Sequence, residues 1–147
     1  MNSRELKLVF EDQWLVVVEK PAGLLSISTG RGQEKETTAY SILKDHFGEL
    51  FIVHRLDRDT SGLLVFAKDE ETKISLQSNW EEAVQERGYV ALLEGKIEDE
   101  EGWIESWLYE CKKSLKVYCY ELGPKDTPEK PPRKDWQYAS SKCRSIK

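Results

Sequence analysis

The sequence is poor in the residues that bind metals or cross-link secreted domains. Its three cysteines, Cys111, Cys119 and Cys143, are odd in number and lack metal-ligand spacing. Its two histidines, His46 and His54, lie far from the cysteines along the chain. Secreted disulfide frameworks usually contain an even number of cysteines, and zinc sites place their ligands at short, regular spacings. We therefore expect reduced thiols, no bound metal and a cytoplasmic location.

Long apolar segments are also missing. No uninterrupted apolar run approaches the roughly 20 residues that a membrane-spanning helix needs. Residues 1–7 (MNSRELK) lack the apolar region of a secretory signal. A chain of 147 residues with 39% hydrophobic and 33% charged residues fits a globular protein. We expect one domain over residues 1–147 and no membrane partner.

Charge is distributed unevenly along the chain. The formal net charge is −5, but residues 69–110 carry 3 Lys or Arg and 13 Asp or Glu, whereas residues 111–147 carry 10 and 4. The acidic middle is typical of a solvated surface, and the basic end can contact phosphate. Net charge therefore does not exclude RNA, because affinity comes from individual phosphate contacts.

The first half of the chain contains β-rich runs and one amphipathic helix. Residues 6–10 (LKLVF) and 14–18 (WLVVV) are β-rich, and the polar residues between them predict a hairpin connection. A helix with apolar residues on one face follows, capped by Thr37 or Thr38 and ended by Gly48.

The second half predicts further helix and strand. Residues 70–85 have apolar residues at a spacing of four, which predicts a second helix. Residues 89–93 and 103–107 are typical of strands. Residues 123–132 are rich in proline and charge and predict a loop. The pattern as a whole predicts an α+β fold.

A charge-dense loop lies between two apolar segments, residues 51–53 and 63–66. This loop contains two arginines and two aspartates within five positions: Arg55, Asp57, Arg58 and Asp59. An ion-paired turn that caps two strands would explain these charges. A carboxylate that neighbouring cations keep ionised would also suit a nucleophile or base.

Another interpretation treats Asp57 and Asp59 as the carboxylate pair of a glycosidase-like hydrolase. Because they are two residues apart, on a regular strand they would lie on the same face with their Cα atoms about 6–7 Å apart.

Residues 54–64 (HRLDRDTSGLL) resemble the catalytic motif of the RluA-type RNA pseudouridine synthases. Residues 6–24, which include the Lys-Pro-x-Gly turn, residues 87–95 and residues 134–147 resemble further segments of this family in the same order. The resemblance implies a mixed, mostly antiparallel sheet with flanking helices.

The resemblance also implies a reaction. Pseudouridine synthases detach uracil from C1′ of a uridine, rotate the base and rejoin it through C5, without cofactor or metal. The partner is structured RNA, either ribosomal or transfer RNA. Asp57 matches the essential catalytic aspartate, and three roles stay open for it: attack on the sugar, attack on the base, or proton removal from the ribose.

Two further residues acquire roles from the resemblance. Arg55 matches the residue that enters the space left by the flipped nucleotide, and Tyr89 matches the tyrosine that packs against the target uracil. Lys20 and Pro21 are expected to support the site from below. The loop residues expected to act as scaffolding are His54, Arg58, Asp59 and Thr60.

The sequence departs from the family in its C-terminal part. No Gly-Arg-x-His-Gln-Ile-Arg block follows, although its basic residue reaches the catalytic aspartate in the family, and Arg87 replaces a usual lysine. We therefore expect a partial catalytic domain without its C-terminal strands, with weak activity and possible self-association through unpaired sheet edges. A non-catalytic RNA-binding remnant is the alternative.

Overall fold

The computed structural model describes residues 6–28, 36–95, 97, 99–111, 113–114, 116–123 and 126–146. The chain divides into two compact units, Met1–Tyr89 (unit 1) and Val90–Lys147 (unit 2), and each is described by itself. The single domain expected over residues 1–147 stays a prediction.

The described residues of unit 1 form a four-stranded antiparallel sheet and three helices. The strand order of the sheet is β1-β2-β4-β3. The expected hairpin between the first two strands is confirmed, and the Asp12 carboxylate accepts the N–H groups of Trp14 and Leu15 at 2.8 and 2.7 Å. The elements are β1 (Lys7–Glu11), β2 (Leu15–Lys20), α1 (Ala39–Phe47), β3 (Phe51–Ile52), β4 (Gly62–Ala67), α2 (Glu70–Ser78) and α3 (Trp80–Ala83).

The core of unit 1 lies between the sheet and α1. Alternate residues of β2 face inward and are buried, and β4 supplies their cross-strand partners. The buried cluster consists of Val16, Val18, Ala39, Leu43, Leu50, Leu64 and Phe66. Lys20 continues the inward series of β2 and is also fully buried. A lysine therefore occupies the end of an otherwise apolar stripe, under the loop that follows β3.

Helix α1 begins and ends as the sequence predicts. Thr38 is its N-cap, and its hydroxyl accepts the Ser41 N–H at 3.0 Å while the Ser41 hydroxyl accepts the Thr38 N–H at 2.9 Å. This reciprocal capping box satisfies two N–H groups that would otherwise lack partners. At the other end, the Gly48 N–H donates to the Lys44 carbonyl.

The prediction of one helix over residues 70–85 is wrong in detail. The structure has two helices, which separate at Asn79. The Asn79 backbone N–H and its side-chain amide both donate to the Ser75 carbonyl, at 3.1 and 2.9 Å. Asparagine favours helix ends because its side chain competes for backbone partners in this way.

The prediction of a strand over residues 89–93 is wrong. The structure places these residues in irregular chain, and none of the described strands pairs with them. Their apolar content favours β structure, but an extended segment becomes a strand only when a neighbouring strand accepts its backbone hydrogen bonds.

In unit 2, the part of the chain that the structure describes forms a three-stranded antiparallel sheet with the order β6-β5-β7. Strand β5 (Glu101–Cys111) confirms and extends the strand expected around residues 103–107, and β7 (Gln137–Arg144) lies within the segment 134–147. Strand β6 (Lys116–Glu121) was missed by the sequence analysis. The described residues of the 123–132 segment form no regular element, as predicted.

The two antiparallel sheets and their helices make this an α+β fold. Within the ranges that the structure describes, no helix combines the length and the apolar character that a membrane crossing requires.

Candidate active site

The charged loop between β3 and β4 contains a tight turn that begins at Asp57. The Thr60 N–H donates to the Asp57 carbonyl at 3.2 Å, which closes a four-residue β-turn. The side chains around this turn are exposed, so solvent or a ligand can reach them. The exposed residues are Arg55, Asp57, Arg58 and Asp59.

Lys20 holds the turn from below. Its Nζ donates to the carbonyls of Pro21, Leu24 and Arg58 at 3.0, 2.7 and 3.0 Å. Three donated hydrogen bonds require three N–H groups, which only the protonated ammonium possesses. The buried side chain therefore carries a positive charge, and it ties the chain after β2 to the residue that follows Asp57.

The backbone on both sides of Asp57 is fixed by buried groups. The Gly23 N–H also donates to the Arg58 carbonyl, at 2.8 Å, from a left-handed backbone with φ of 86° that favours glycine. The buried Ser26 hydroxyl accepts the Leu56 N–H at 3.1 Å and donates to the Leu56 carbonyl at 2.6 Å. Ser26 was missed by the sequence analysis, because nothing in its neighbourhood distinguishes it from a loop serine.

The charges of the loop do not neutralise one another as an ion-paired turn would. Among the described residues, no ion pair within 4.0 Å joins Arg55 or Arg58 to Asp57 or Asp59. The Arg58 guanidinium instead lies 3.9 Å from a Glu36 carboxylate oxygen.

Lys20, which was expected to support the site from below, is also a cation close to the carboxylates of the loop. Burial lowers the pKa of Lys20, and the nearby carboxylates of Asp59 and Asp57 act in the opposite direction. The ammonium thus places a positive charge beneath the turn without depending on either arginine.

His54 lies at the start of the loop as a half-buried neutral ring. Its Nε2 accepts the Val65 N–H at 3.2 Å, and its ring centroid is 4.9 Å from that of Trp80. Burial lowers the pKa of His54, and the positive charge of Arg87 adds to this, while a backbone hydrogen bond at Arg55 opposes it. These contacts connect the loop to β4 and to α3.

A small cavity opens beside Asp57. Residues 25–28 and 55–58 line a space of about 110 Å³, smaller than the roughly 300–1,000 Å³ of usual small-molecule sites. The Tyr89 side chain is 69% exposed on irregular chain, and the described contacts do not join it to Asp57. The described residues contain no cluster of His, Cys, Asp or Glu side chains able to hold a metal ion.

Comparison with known proteins assigns a family to this loop and its surroundings. The model of a family described as RNA pseudouridylate synthase matches residues 14–145. The dual-specificity RNA pseudouridine synthase RluA of Vibrio vulnificus (strain CMCP6) is 34% identical over 120 residues, which cover 80% of this chain and 47% of the relative. The tRNA pseudouridine synthase C of Vibrio parahaemolyticus is 37% identical over 97 residues, which cover 65% of this chain and 39% of the relative. The chain spans about half the length, or less, of these relatives.

Solved structures show the same fold. Human RNA pseudouridylate synthase domain containing 4 matches 92% of this chain and 52% of its own, with a TM-score of 0.55 and 17% identity. Human RNA pseudouridylate synthase domain containing 1 matches 76% of this chain and 42% of its own, with a TM-score of 0.54. The fold and the matched sequence agree, and the chain belongs to the RNA pseudouridylate synthase family.

Proposed function

We propose that this chain converts specific uridines of ribosomal or transfer RNA to pseudouridine in the cytoplasm, with Asp57 as the catalytic carboxylate. The family match over residues 14–145 contains the whole charged loop, and relatives carry names of synthases that act on RNA. Neither the hydrolase nor the non-catalytic alternative is favoured by these relatives.

The observation that carries the proposal is the anchoring of the backbone around an exposed Asp57. Ser26 binds both backbone groups of Leu56, and Lys20 with Gly23 binds the carbonyl of Arg58. A carboxylate on such a fixed backbone keeps its aim at a reacting atom, which lowers the entropic cost of reaction.

The reaction exchanges one bond for another. The C1′–N1 bond of the uridine breaks, a C1′–C5 bond forms, the hydrogen at C5 leaves to solvent and N1 takes up a proton. No electrons are gained or lost overall, so the exchange itself calls for no redox partner. An ionised, fixed Asp57 serves any of the three roles that the resemblance leaves open.

Arg55 and Tyr89 are proposed to handle the extruded base. A paired uridine must leave its stack before chemistry can occur. No ion pair within the described residues engages the Arg55 guanidinium, which is exposed and free to stack in the vacated space. Tyr89 would pack against the uracil. His54, Arg58, Asp59 and Thr60 are proposed as scaffolding of the loop.

The site is proposed to need further residues for full activity. The cavity beside Asp57 is small, and the edge strands β1, β3, β6 and β7 have no second neighbour among the described strands. The matched segment covers only 47% of the Vibrio vulnificus relative. We infer that the 147-residue chain alone is weakly active and associates with itself through these edges.

The test of the function is tritium release from RNA that contains uridine tritiated at C5. We expect Asp57→Asn to abolish release while circular dichroism stays unchanged, because the charge is lost and the volume is kept. Asp59→Asn is the matched comparison in the same turn, and it should retain most of the activity. Turnover by Asp57→Asn would refute the assignment. Equal loss in both variants, with free uracil as product, would indicate a carboxylate-pair hydrolase.

A fusion tests whether the site is incomplete. The chain is joined to the remaining C-terminal segment of the Vibrio vulnificus relative, and both forms are assayed on the same RNA. The fusion should be monomeric and more active than the 147-residue chain. Full activity from a monodisperse monomer of 147 residues would show that Lys20 and the loop arginines already suffice.

A further inference from the structure

The sheet of unit 2 has two chemically different faces. Cross-strand partners share a face, and alternate residues of one strand point to opposite faces, so the registers of β5 with β6 and β7 assign every strand residue to a face. All aromatic residues of the three strands fall on one face, which we call the aromatic face. They are Trp103, Trp107, Tyr109, Tyr118, Tyr120 and Tyr138.

The opposite face contains no aromatic residue. We call it the aliphatic face, and its apolar side chains are those of Ile104, Leu108, Val117 and Ala139.

Several rings on the aromatic face are arranged in parallel. Tyr109 stacks with Tyr118, with ring centroids 6.1 Å apart and planes inclined by 26°. Tyr109 also stacks with Trp136, just before β7, at 5.8 Å and 25°. Tyr120 meets Trp136 edge-on. A series of near-parallel rings on one face of a sheet is the arrangement on which unpaired nucleobases stack.

The cations of the sheet lie on the same face as the rings. Lys116 of β6 and Lys142 and Arg144 of β7 are the Lys and Arg residues of the three strands, and the registers place all of them on the aromatic face. The aromatic face also holds the carboxylates of Glu101 and Glu105, and Glu101 pairs with Lys142 at 3.3 Å. Three cations and two carboxylates give this face a formal charge of +1. The aliphatic face has only the carboxylates of Glu110 and Glu121, which give it a charge of −2. The charge pattern therefore favours an anionic ligand on the aromatic face and disfavours one on the other.

Stabilisation of the sheet does not account for all of these rings. Trp103 is opposite Lys142 rather than another ring, and 66% of its side chain is exposed. Trp107 lies on the same face, and its buried indole Nε1 has no hydrogen-bond acceptor among the described residues. An exposed indole, together with a buried indole donor that has no described acceptor, favours a ligand-binding role for this face.

We propose that the aromatic face binds unpaired nucleotides of RNA, with Trp103, Tyr118 and Tyr120 stacking on bases and Lys116 and Arg144 contacting phosphates. The inference rests on the proposed function for the choice of RNA as the ligand. A protein surface of this kind discriminates single strands from duplexes, because a duplex hides the faces of its bases. The face thereby gives the protein a preference for uridines near unpaired segments.

The test measures the affinity of a short fluorescein-labelled oligouridine for the full chain carrying Asp57→Asn, so that binding is observed without turnover. Trp103→Ala combined with Tyr118→Ala should weaken binding about tenfold or more, since stacking contributes substantially for each base. The matched control combines Ile104→Ala with Val117→Ala. These positions are adjacent on the same strands, similarly exposed at 61% each, and on the aliphatic face. The control should keep the starting affinity.

A conservative variant separates stacking from folding. Tyr118→Phe keeps the ring and should keep the affinity, while far-ultraviolet circular dichroism reports whether each variant is folded. The proposal would be overturned if the aromatic and the aliphatic pairs of substitutions weakened oligouridine binding equally. It would also be overturned if the unsubstituted face bound an RNA duplex as tightly as the single-stranded oligouridine. Loss of a dimer in Trp103→Ala with unchanged RNA affinity would also overturn it, and would identify the face as a self-association surface.

The two proposals fail separately. Absence of pseudouridine formation, with the contrast between the two faces intact, would refute the proposed function and support the binding face. Tritium release that depends on Asp57, with oligouridine binding insensitive to both pairs of substitutions, would refute the binding face alone.

Discussion

Replacement of Lys20 by methionine tests the central feature of the loop, its buried ammonium. Methionine has a similar length and can fill the space without a charge. The substitution removes three hydrogen bonds to the carbonyls of Pro21, Leu24 and Arg58. Each hydrogen bond from a charged donor contributes about 1.5–3 kcal/mol. Of the three carbonyls, Arg58 keeps the N–H of Gly23 as a donor.

The net cost is smaller than the sum of the lost bonds. Burial of the ammonium itself costs several kcal/mol in the folded state, and methionine avoids that cost. A buried carbonyl that is left without a donor costs about 1–3 kcal/mol, and those of Pro21 and Leu24 both lose the ammonium. We expect unit 1 to lose about 3 kcal/mol of unfolding free energy, a large part of the roughly 5–15 kcal/mol of a typical domain.

Amide hydrogen exchange is the suitable assay because it resolves the two units. The slowest amides of β2 and β4 in unit 1 should exchange about 100-fold faster in Lys20→Met, given that about 1.4 kcal/mol corresponds to a factor of ten. Amides of β5 in unit 2 provide an internal reference. Lys7→Met is the matched control, since Lys7 forms an ion pair with Glu19 at 2.8 Å with its side chain 76% exposed. It should leave exchange unchanged.

Equal exchange rates in Lys20→Met and Lys7→Met would refute the reasoning, because the buried ammonium would then contribute no more than an exposed one. The activity of the fusion described above gives a second readout. Loss of turnover in Lys20→Met with unchanged exchange in β4 would mean that the charge acts on Asp57 and not on the stability of unit 1.

Three other predictions follow from single contacts. The pKa of His54 is lowered in the folded state, so its neutral ring stabilises unit 1 above about pH 6.5, and this stability is lost as the pH falls through the folded-state pKa. Urea denaturation at several pH values measures how the unfolding free energy depends on pH. This dependence should disappear in His54→Gln and persist in His46→Gln. Thr38→Ala removes the acceptor of the Ser41 N–H and should cost about 1 kcal/mol in the same assay; no change would mean that water replaces the cap. Arg55→Ala should reduce kcat/KM more on structured RNA than on a flexible strand, where unstacking costs less; equal losses would assign Arg55 to orienting Asp57.

Local signals in the sequence determined much of unit 1. The β1–β2 hairpin and the helix capped by Thr38 were predicted because turn and cap preferences act within a few residues. The helix break at Asn79 also has a local cause, although the apolar spacing of residues 70–85 concealed it. The family of the loop at residues 54–64 was recognisable because its charges and its glycine occur together in one short segment.

Tertiary structure alone decided the contacts that fix the backbone around Asp57. Lys20 and Ser26 are distant from Asp57 in sequence, and only the return of β4 beside β2 brings their segments under the turn. The two faces of unit 2 likewise depend on the register of β5 with β6 and β7, since a shift of β6 or β7 by one residue would move the rings of that strand to the other face. The expected strand at Tyr89 did not form because no described strand pairs with it. Strand formation and burial of charge depend on distant partners, whereas caps and turns depend on neighbours.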